Sequence, residues 1–308
     1  MTTVSNVIVT GGCGFIGSNF LNYMVKKYPD INFHNIDKMD YCASEDYIEV
    51  GRYRNYYFYK CDINERNFVS HILSTYNIDT VIHFAAQSHV DGSFDESLKY
   101  TVDNVLGTHN LLECCRKYGG IRKFIHISTD EVYGEVDINH PGCPEKSILN
   151  PTNPYAATKA AAEMLVNSYK HSYNFPAIIT RGNNVYGPNQ YPEKLIPKFI
   201  KLVREGKKMT IHGKGDSRRN FVHAYDVATA VETILLKGVV GEIYNIGTDN
   251  EYTVLEIAKL IVEKYRPGEK LEEWVEYVDD RPFNDFRYAI DSTKLRELGW
   301  KEVIDFTI

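Results

Sequence analysis

Ser128, Thr129, Asp130 and Glu131 stand in one run, and further along the chain Tyr155 and Lys159 are spaced four apart. On a helix that spacing puts a phenol and an ammonium on one face. An ammonium beside a phenol lowers its pKa from about 10, so Tyr155 is expected to take a hydroxyl proton as hydride leaves the same carbon. A plain dehydrogenase needs one such acid/base group. Two further carboxylates, Asp130 and Glu131, allow a proton to leave one atom while a leaving group is protonated at another. The set points to a redox step joined to an elimination. Tyr and Lys at this spacing also arise by chance, and paired carboxylates are often only solvated loop charges, so the reading depends on what the rest of the chain supplies.

The first supply is a nucleotide loop. Thr10-Gly11-Gly12-Cys13-Gly14-Phe15-Ile16-Gly17 follows a strand-like run and opens an amphipathic one. Gly11 permits the tight turn, Gly14 lets a pyrophosphate approach the backbone, and Gly17 lets the helix pack closely on the sheet. Phe15 and Ile16 belong to the same loop, and the helix N-terminus faces the phosphates. Asp37 lies twenty residues past Gly17, at the end of the second expected strand, where a carboxylate accepts hydrogen bonds from ribose hydroxyls and repels a 2′-phosphate. NAD is therefore expected over NADP, with the neighbouring Lys38 tempering that preference. Asp62 and Ile63 end the third strand and border adenine. Phe84, Ala85 and Ala86 end the fourth and line the nicotinamide-side phosphates. Ser128, Tyr155 and Lys159 complete the cofactor set.

These residues need a scaffold, and short β-branched runs at 7–9, 32–36, 56–59, 81–84, 124–127 and 177–180 alternate with helical stretches such as 16–27 and 102–118. Alternation of this kind gives parallel strands joined by helical crossovers. The expected fold class is α/β, a doubly wound parallel Rossmann sheet of about six strands with a smaller interleaved C-terminal substrate lobe. Asn153-Pro154 supplies a cap and first-turn pair for the helix that carries Tyr155. Past Arg181 the rhythm breaks at Gly187-Pro188 and Tyr191-Pro192, but 225–236 followed by 243–246 returns to helix then strand. Residues 1–180 with about 222–250 are assigned to the NAD-binding domain, and 181–221 with 251–308 to the lobe. Residues 303–306 read as the start of a further helix, and a short C-terminal piece is expected beyond Ile308.

Composition frames this. The chain has 308 residues, 43% of them hydrophobic, enough for a substantial core. A net charge of −6 with scattered Lys and Arg argues against nucleic acid as a partner, and no apolar run is long enough to span a membrane. A cytoplasmic location is expected. The six cysteines lack metal-ligand spacing and no secretion signal precedes them, so reduced structural thiols and no metal site are expected.

TGGCGFIG, FAAQSHVD, STDEVYG, NPYAATKAAAEM, RGNNVYGPNQYPEKLIPKFI and YNIGT together resemble the extended short-chain dehydrogenase/reductase superfamily, in particular its nucleotide-diphosphate-glucose 4,6-dehydratases. The likeness runs from about residue 6 to about residue 300. DKMDYCAS and DDRPFNDFRYAID look closer to eukaryotic-type dTDP-glucose dehydratases and the dehydratase module of plant UDP-rhamnose synthases than to bacterial enzymes. The resemblance implies UDP-glucose or dTDP-glucose as substrate, a tightly bound NAD recycled at each turnover, and a homodimer formed through helices 102–118 and 155–173. It implies Tyr155 as base toward the C4 hydroxyl, Glu131 as base at C5, Asp130 as acid toward the C6 hydroxyl, and Thr129 as holder of the C4 oxygen. Because strand neighbours point to opposite faces, both carboxylates reach one sugar only if the backbone turns after Ser128. Asp130 must also be protonated to act. Ser88, Asn184, Glu193, Lys194, Leu195, Lys198, Arg219, Asn245 and Arg281 match positions used around the nucleotide sugar, with Arg219 the best diphosphate ligand because a guanidinium grips phosphate oxygens bidentately. Gln87, Val185 and Gly92 depart from the bacterial pattern at Glu, Asn and Arg positions. The alternatives within the superfamily are a 4-epimerase or a nucleotide-glucuronate decarboxylase, which lack the acidic pair, and more remotely a non-catalytic NAD-sensing protein.

Overall fold

The computed structural model describes residues 4–279 and 285–308. In chain order its elements are β1 (Asn6–Thr10), α1 (Phe15–Lys27), β2 (Asn32–Asp37), β3 (Tyr56–Lys60), α2 (Arg66–Thr75), β4 (Thr80–His83), the short helices α3 (Val90–Asp95) and α4 (Ser97–Tyr100), and α5 (Gly107–Tyr118). Then come β5 (Lys123–Thr129), α6 (Pro154–Tyr173), β6 (Ala177–Gly182), β7 (Asn184–Tyr186), α7 (Leu195–Arg204), β8 (Met209–His212), β9 (Arg218–His223), α8 (Ala224–Lys237), β10 (Ile243–Ile246), β11 (Glu251–Thr253), α9 (Val254–Tyr265) and β12 (Val275–Val278).

Seven parallel strands form the main sheet in the order β10-β6-β5-β4-β1-β2-β3. Side chains of β1 alternate between its faces, as period-two geometry requires. Val7 and Val9 pack with Phe20, Leu21 and Met24 of α1 and Val231 and Ile234 of α8. Ile8 packs on the other side with Ile72 and Leu73 of α2, Leu111 and Leu112 of α5, and Val166 of α6. Helices therefore cover both faces, the arrangement of a doubly wound sheet, and the strand order reverses between β1 and β4. The seventh strand is the 243–246 segment, in register beside β6.

A third core, built from Phe199 of α7, Ile211 of β8, and Ile257 and Ile261 of α9, belongs to the smaller lobe. The end of the chain does not stay with that lobe throughout, because Leu295 and Trp300 pack into the core of the main sheet. The helix expected at 303–306 does not form. Asp226 accepts the backbone N–H groups of Val303 and Ile304 at 2.9 and 3.2 Å, and Phe306 packs against Tyr252, Tyr186 and Phe221. Helix 102–118 differs too: Thr101–Leu106 is a π-helical segment that leads into α5.

Asn153 caps α6 as expected, its side chain accepting from Ala156 N at 2.8 Å with Pro154 in the first turn. All six cysteines are unpaired. Among the described residues there is no cluster that could hold a metal, and no helix long and apolar enough to cross a membrane.

Candidate active site

The glycine loop is shaped by close approach. Gly11 has φ of 71°, and a Cβ there would lie 2.6 Å from Ala85 N; one at Gly17 would lie 2.3 Å from Gly11 O. Neither position admits a side chain. Gly14 caps α1, so the helix N-terminus opens onto a cavity of about 510 Å³ that runs along the C-terminal ends of the strands.

At one end the cavity is lined by Asp37, Lys38, Asp62 and Ile63. Asp37 is 7% exposed and accepts Cys13 N at 2.9 Å and Met39 N at 2.8 Å. Burial pushes its carboxyl pKa up against those bonds. Lys38 is committed: its Nζ lies 2.7 Å from Asp103 and 3.3 Å from Asp40, and the Gln87 amide donates to the same two carboxylates at 2.8 and 2.7 Å. With the Lys38 ammonium neutralised by two acids, this wall disfavours an added 2′-phosphate. Phe84, Ala85, Ala86, Ser128, Tyr155 and Lys159 continue the lining. Ser128 Oγ is buried there without a hydrogen-bond partner among the described residues, and a buried hydroxyl facing a cavity is a ligand's attachment point. The glycine cradle, the ribose-ready carboxylate and this hydroxyl fit a dinucleotide.

Strand β5 ends at Thr129, and Asp130–Tyr133 form one 3₁₀ turn whose N-cap is Thr129, its Oγ1 accepting from Glu131 N at 3.3 Å. The turn that brings the two acids together thus starts one residue later than expected. Each carboxylate has its own amide donor. Asn183 Nδ2 reaches Asp130 at 2.8 Å, and Asn153 Nδ2 reaches Glu131 at 2.9 Å. Glu131 lines the cavity, whereas Asp130, 3% exposed, lies directly behind its wall. Burial, helped by the adjacent Glu131, holds the Asp130 carboxyl up at about 7 despite the Asn183 bond. Burial also raises Glu131, opposed by Asn153, Arg219 and Lys194.

Tyr155 and Lys159 both face the cavity from α6. The expected lowering of the Tyr155 phenol by Lys159 is not what this geometry gives. Lys159 Nζ donates to Ile127 O at 2.7 Å, and burial lowers the ammonium to about 8. Tyr155 is raised, by burial and then by Glu131, with a Thr129 hydrogen bond pulling the other way. Two neutral imidazoles lie buried nearby, His83 lowered to about 3 and His126 lowered, in both cases by burial and then by the Lys159 charge.

Of the residues expected around the nucleotide sugar, Ser88, Asn184, Lys194, Leu195 and Arg219 line the cavity. Lys194 Nζ donates to Ser88 O at 2.8 Å. Arg219 is oriented by Asp285 O at 2.9 Å and lies 4.6 Å over the Tyr288 ring. Three others are not part of the lining. Asn245 is fully buried with its amide used internally, donating to Cys143 O and Asp291 O and accepting from Tyr133 OH. Glu193 is exposed, its carboxylate 3.4 Å from His89 of the lining, and Lys198 is exposed on α7. Arg281 lies outside the described residues. Sequence reasoning missed Asn183, whose signal was its place in the RGNNVYGPNQYPEKLIPKFI stretch, and also Asp285 and Tyr288, whose signal was their place in the DDRPFNDFRYAID stretch.

Residues 8–307 match the family model described as GDP-mannose 4,6 dehydratase. The chain is 50% identical over 302 residues to the trifunctional UDP-glucose 4,6-dehydratase/UDP-4-keto-6-deoxy-D-glucose 3,5-epimerase/UDP-4-keto-L-rhamnose-reductase of Arabidopsis thaliana, covering 97% of this chain but 45% of that protein. It thus spans about half the length of that relative. It is 49% identical to the dTDP-D-glucose 4,6-dehydratase of Mus musculus, with 96% and 83% of the two chains covered. The crystal structure of a dTDP-glucose 4,6-dehydratase from Streptomyces venezuelae with NAD and TYD bound superposes with a TM-score of 0.92 at 35% identity, covering 98% of this chain and 93% of that one. The loop that admits no Cβ, the acidic turn and the Tyr155–Lys159 pair all fall within the matched span, and the chain belongs to the GDP-mannose 4,6 dehydratase family.

Proposed function

We propose that this chain is an NAD-dependent nucleotide-sugar 4,6-dehydratase that converts UDP-glucose or dTDP-glucose to the 4-keto-6-deoxy sugar and water. The observation that carries the reading is the 3₁₀ turn that sets Glu131 in the wall of the cavity lined by Tyr155, Lys159 and the glycine loop and Asp130 next to it behind that wall, each with its own asparagine donor. An epimerase or a decarboxylase has no use for the second acid. NAD, when bound, supplies the two-electron acceptor that takes hydride from C4 and returns it at C6.

The chain's own residues move the protons. Tyr155 takes the C4 hydroxyl proton and Thr129 Oγ1 holds that oxygen. The resulting ketone acidifies the C5 proton, which Glu131 removes, and Asp130 protonates the departing C6 hydroxyl so that it leaves as water. Lys194 and Arg219 supply positive charge for the diphosphate. The test is incubation of the protein with each nucleotide sugar, followed by mass spectrometry. Loss of one water with no net cofactor consumed is expected; a product of unchanged mass would replace this reading with the epimerase.

The proposal fixes a pH dependence. Asp130 works as an acid only while protonated, and burial holds its pKa at about 7. Turnover limited by elimination should therefore decline above pH 7, by roughly fivefold between pH 7 and pH 8 for a single titrating acid. A pH profile flat across that range would remove Asp130 as the acid.

A homodimer is part of the same proposal. Leu98, Val102 and Leu106 are 80%, 47% and 49% exposed just ahead of α5, and Met164 and Tyr173 of α6 are 53% and 52% exposed. An apolar surface of this kind on adjacent helices suits a second copy, and a monomer mass in sedimentation equilibrium would exclude it. The six unpaired thiols support a reducing, cytoplasmic setting, which cell fractionation would test.

A further inference from the structure

Asp285 is a third carboxylate in the cavity wall, 4% exposed, and the proton transfers above leave it without a task. Its side chain accepts from Thr152 Oγ1, 2.8 Å from Oδ1 and 2.9 Å from Oδ2, and from the Tyr288 hydroxyl. Its backbone carbonyl oxygen accepts from Arg219 Nη2 at 2.9 Å, and Phe286 O accepts from Arg219 Nη1 at 3.3 Å. Backbone bonds fix this stretch on two sides. Arg218 N donates to Phe286 O at 2.7 Å from β9, while Phe286 N donates to Glu135 at 2.8 Å and Val136 N to Arg287 O at 3.0 Å, both in the segment that leaves the acidic turn.

Thr152 is not part of the cavity lining. It stands directly before Asn153, whose side chain caps α6 through Ala156 N and donates to Glu131. Asp285 therefore joins two groups of the site, Arg219 through its carbonyl and the Asn153–Glu131 pair through its carboxylate. Hydrogen bonds to a carboxylate are charge-assisted, stronger than those between neutral groups, and hold a geometry correspondingly better.

We infer that Asp285 is a positioning residue that fixes the span between the Arg219 grip on the diphosphate and the Glu131 carboxylate, acting on Glu131 through Thr152 and Asn153. The inference rests on the dehydratase reading under Proposed function. Oxidation at C4 is assigned there to Tyr155 and Thr129, and removal of the C5 proton to Glu131, so loosening this tether falls on the second step.

The test uses the NAD-loaded protein as wild type, Thr152→Val, Thr152→Ser, Asp285→Ala and the double variant Thr152→Val with Asp285→Ala. Valine keeps the shape of threonine and removes the hydroxyl, leaving Asp285 O on Arg219. Binding of UDP and of dTDP is measured by calorimetry, and single turnovers of UDP-glucose and of dTDP-glucose are followed by nicotinamide absorbance and product mass. Thr152→Val should bind both diphosphates as wild type does and form reduced nicotinamide at the wild-type rate. It should then lose water about tenfold more slowly, so that reduced cofactor accumulates. Thr152→Ser should recover most of the elimination rate, and the double variant should be no slower than Asp285→Ala alone, since both changes remove one contact. Unchanged elimination in Thr152→Val, equal slowing of both steps, weakened diphosphate binding, no recovery in Thr152→Ser, or additive losses in the double variant would each overturn the inference. Wild-type protein that dehydrates neither nucleotide sugar would instead remove the dehydratase reading, and this inference with it.

Discussion

Glu131→Gln is expected to lower turnover of the nucleotide-linked glucose by about 10²–10⁴-fold, the range general acid–base catalysis supplies, while reduced nicotinamide accumulates. Glutamine has nearly the same shape, and its side-chain oxygen still accepts from Asn153 Nδ2, which now lies 2.9 Å from the carboxylate. The fold and the entry to the cavity are therefore preserved. What disappears is the group proposed to take the C5 proton. Burial raises the Glu131 pKa, which makes the ionised carboxylate a stronger base than a solvated one. In the proposed mechanism oxidation at C4 uses Tyr155 and needs no Glu131, so the variant should halt with the cofactor reduced. Tyr155→Phe should do the opposite, slowing turnover with no reduced cofactor formed. Rapid-mixing absorbance of reduced nicotinamide together with single-turnover product analysis separates the two. Wild-type turnover in Glu131→Gln would remove its assigned role, and failure of reduced cofactor to accumulate would move Glu131 to the C4 step.

The scaffold was open to reading because its signals are local. Alternating β-branched runs located the first six sheet strands, and of the glycines at 11, 14 and 17 that announced a backbone approach, the structure shows 11 and 17 as Cβ positions without room. Residues 243–246 were readable as a strand, but not their place beside β6. Partnership across long sequence separations was not readable. Asn183 and Asp130 meet because β5 and β6 pair in register, and no spacing along the chain encodes that. Lys159 is held by a backbone carbonyl, which every residue carries, so its diversion from Tyr155 leaves no mark in the sequence. Asn245 was matched to the pocket, yet register with Arg181 turns its amide into the protein, where Tyr133 and two carbonyls take it up. At 303–306, four residues were too few for periodicity to separate helix from extended chain.

Arg181→Met is expected to destabilise the fold by about 3–5 kcal/mol, the cost of leaving a buried charge without its partner. Arg181 is 2% exposed and Glu163 0%, with Arg181 Nη2 2.6 Å from Glu163 Oε2 and Nε 3.2 Å from Oε1. The remaining guanidinium nitrogen donates to Tyr133 OH at 2.8 Å and Glu145 O at 3.0 Å. Tyr133 in turn donates to Asn245 at 2.8 Å. This network does more than pair two charges, because Tyr133 closes the turn that carries Asp130 and Glu131, while Asn183, two residues beyond Arg181, holds Asp130. Replacing both ions with apolar residues, Arg181→Met with Glu163→Leu, removes the stranded charge and should recover most of the stability. Activity should not recover with it, since Tyr133 still lacks its donor and the acidic turn has lost Arg181, leaving Asn183, just past the end of β6, to hold Asp130. Urea unfolding midpoints and kcat measured on the same variants separate the two effects. A single variant less than about 1 kcal/mol below wild type would show that the pair is not desolvated as its burial implies. A double variant with wild-type kcat would show that the turn holds its carboxylates in place without Arg181.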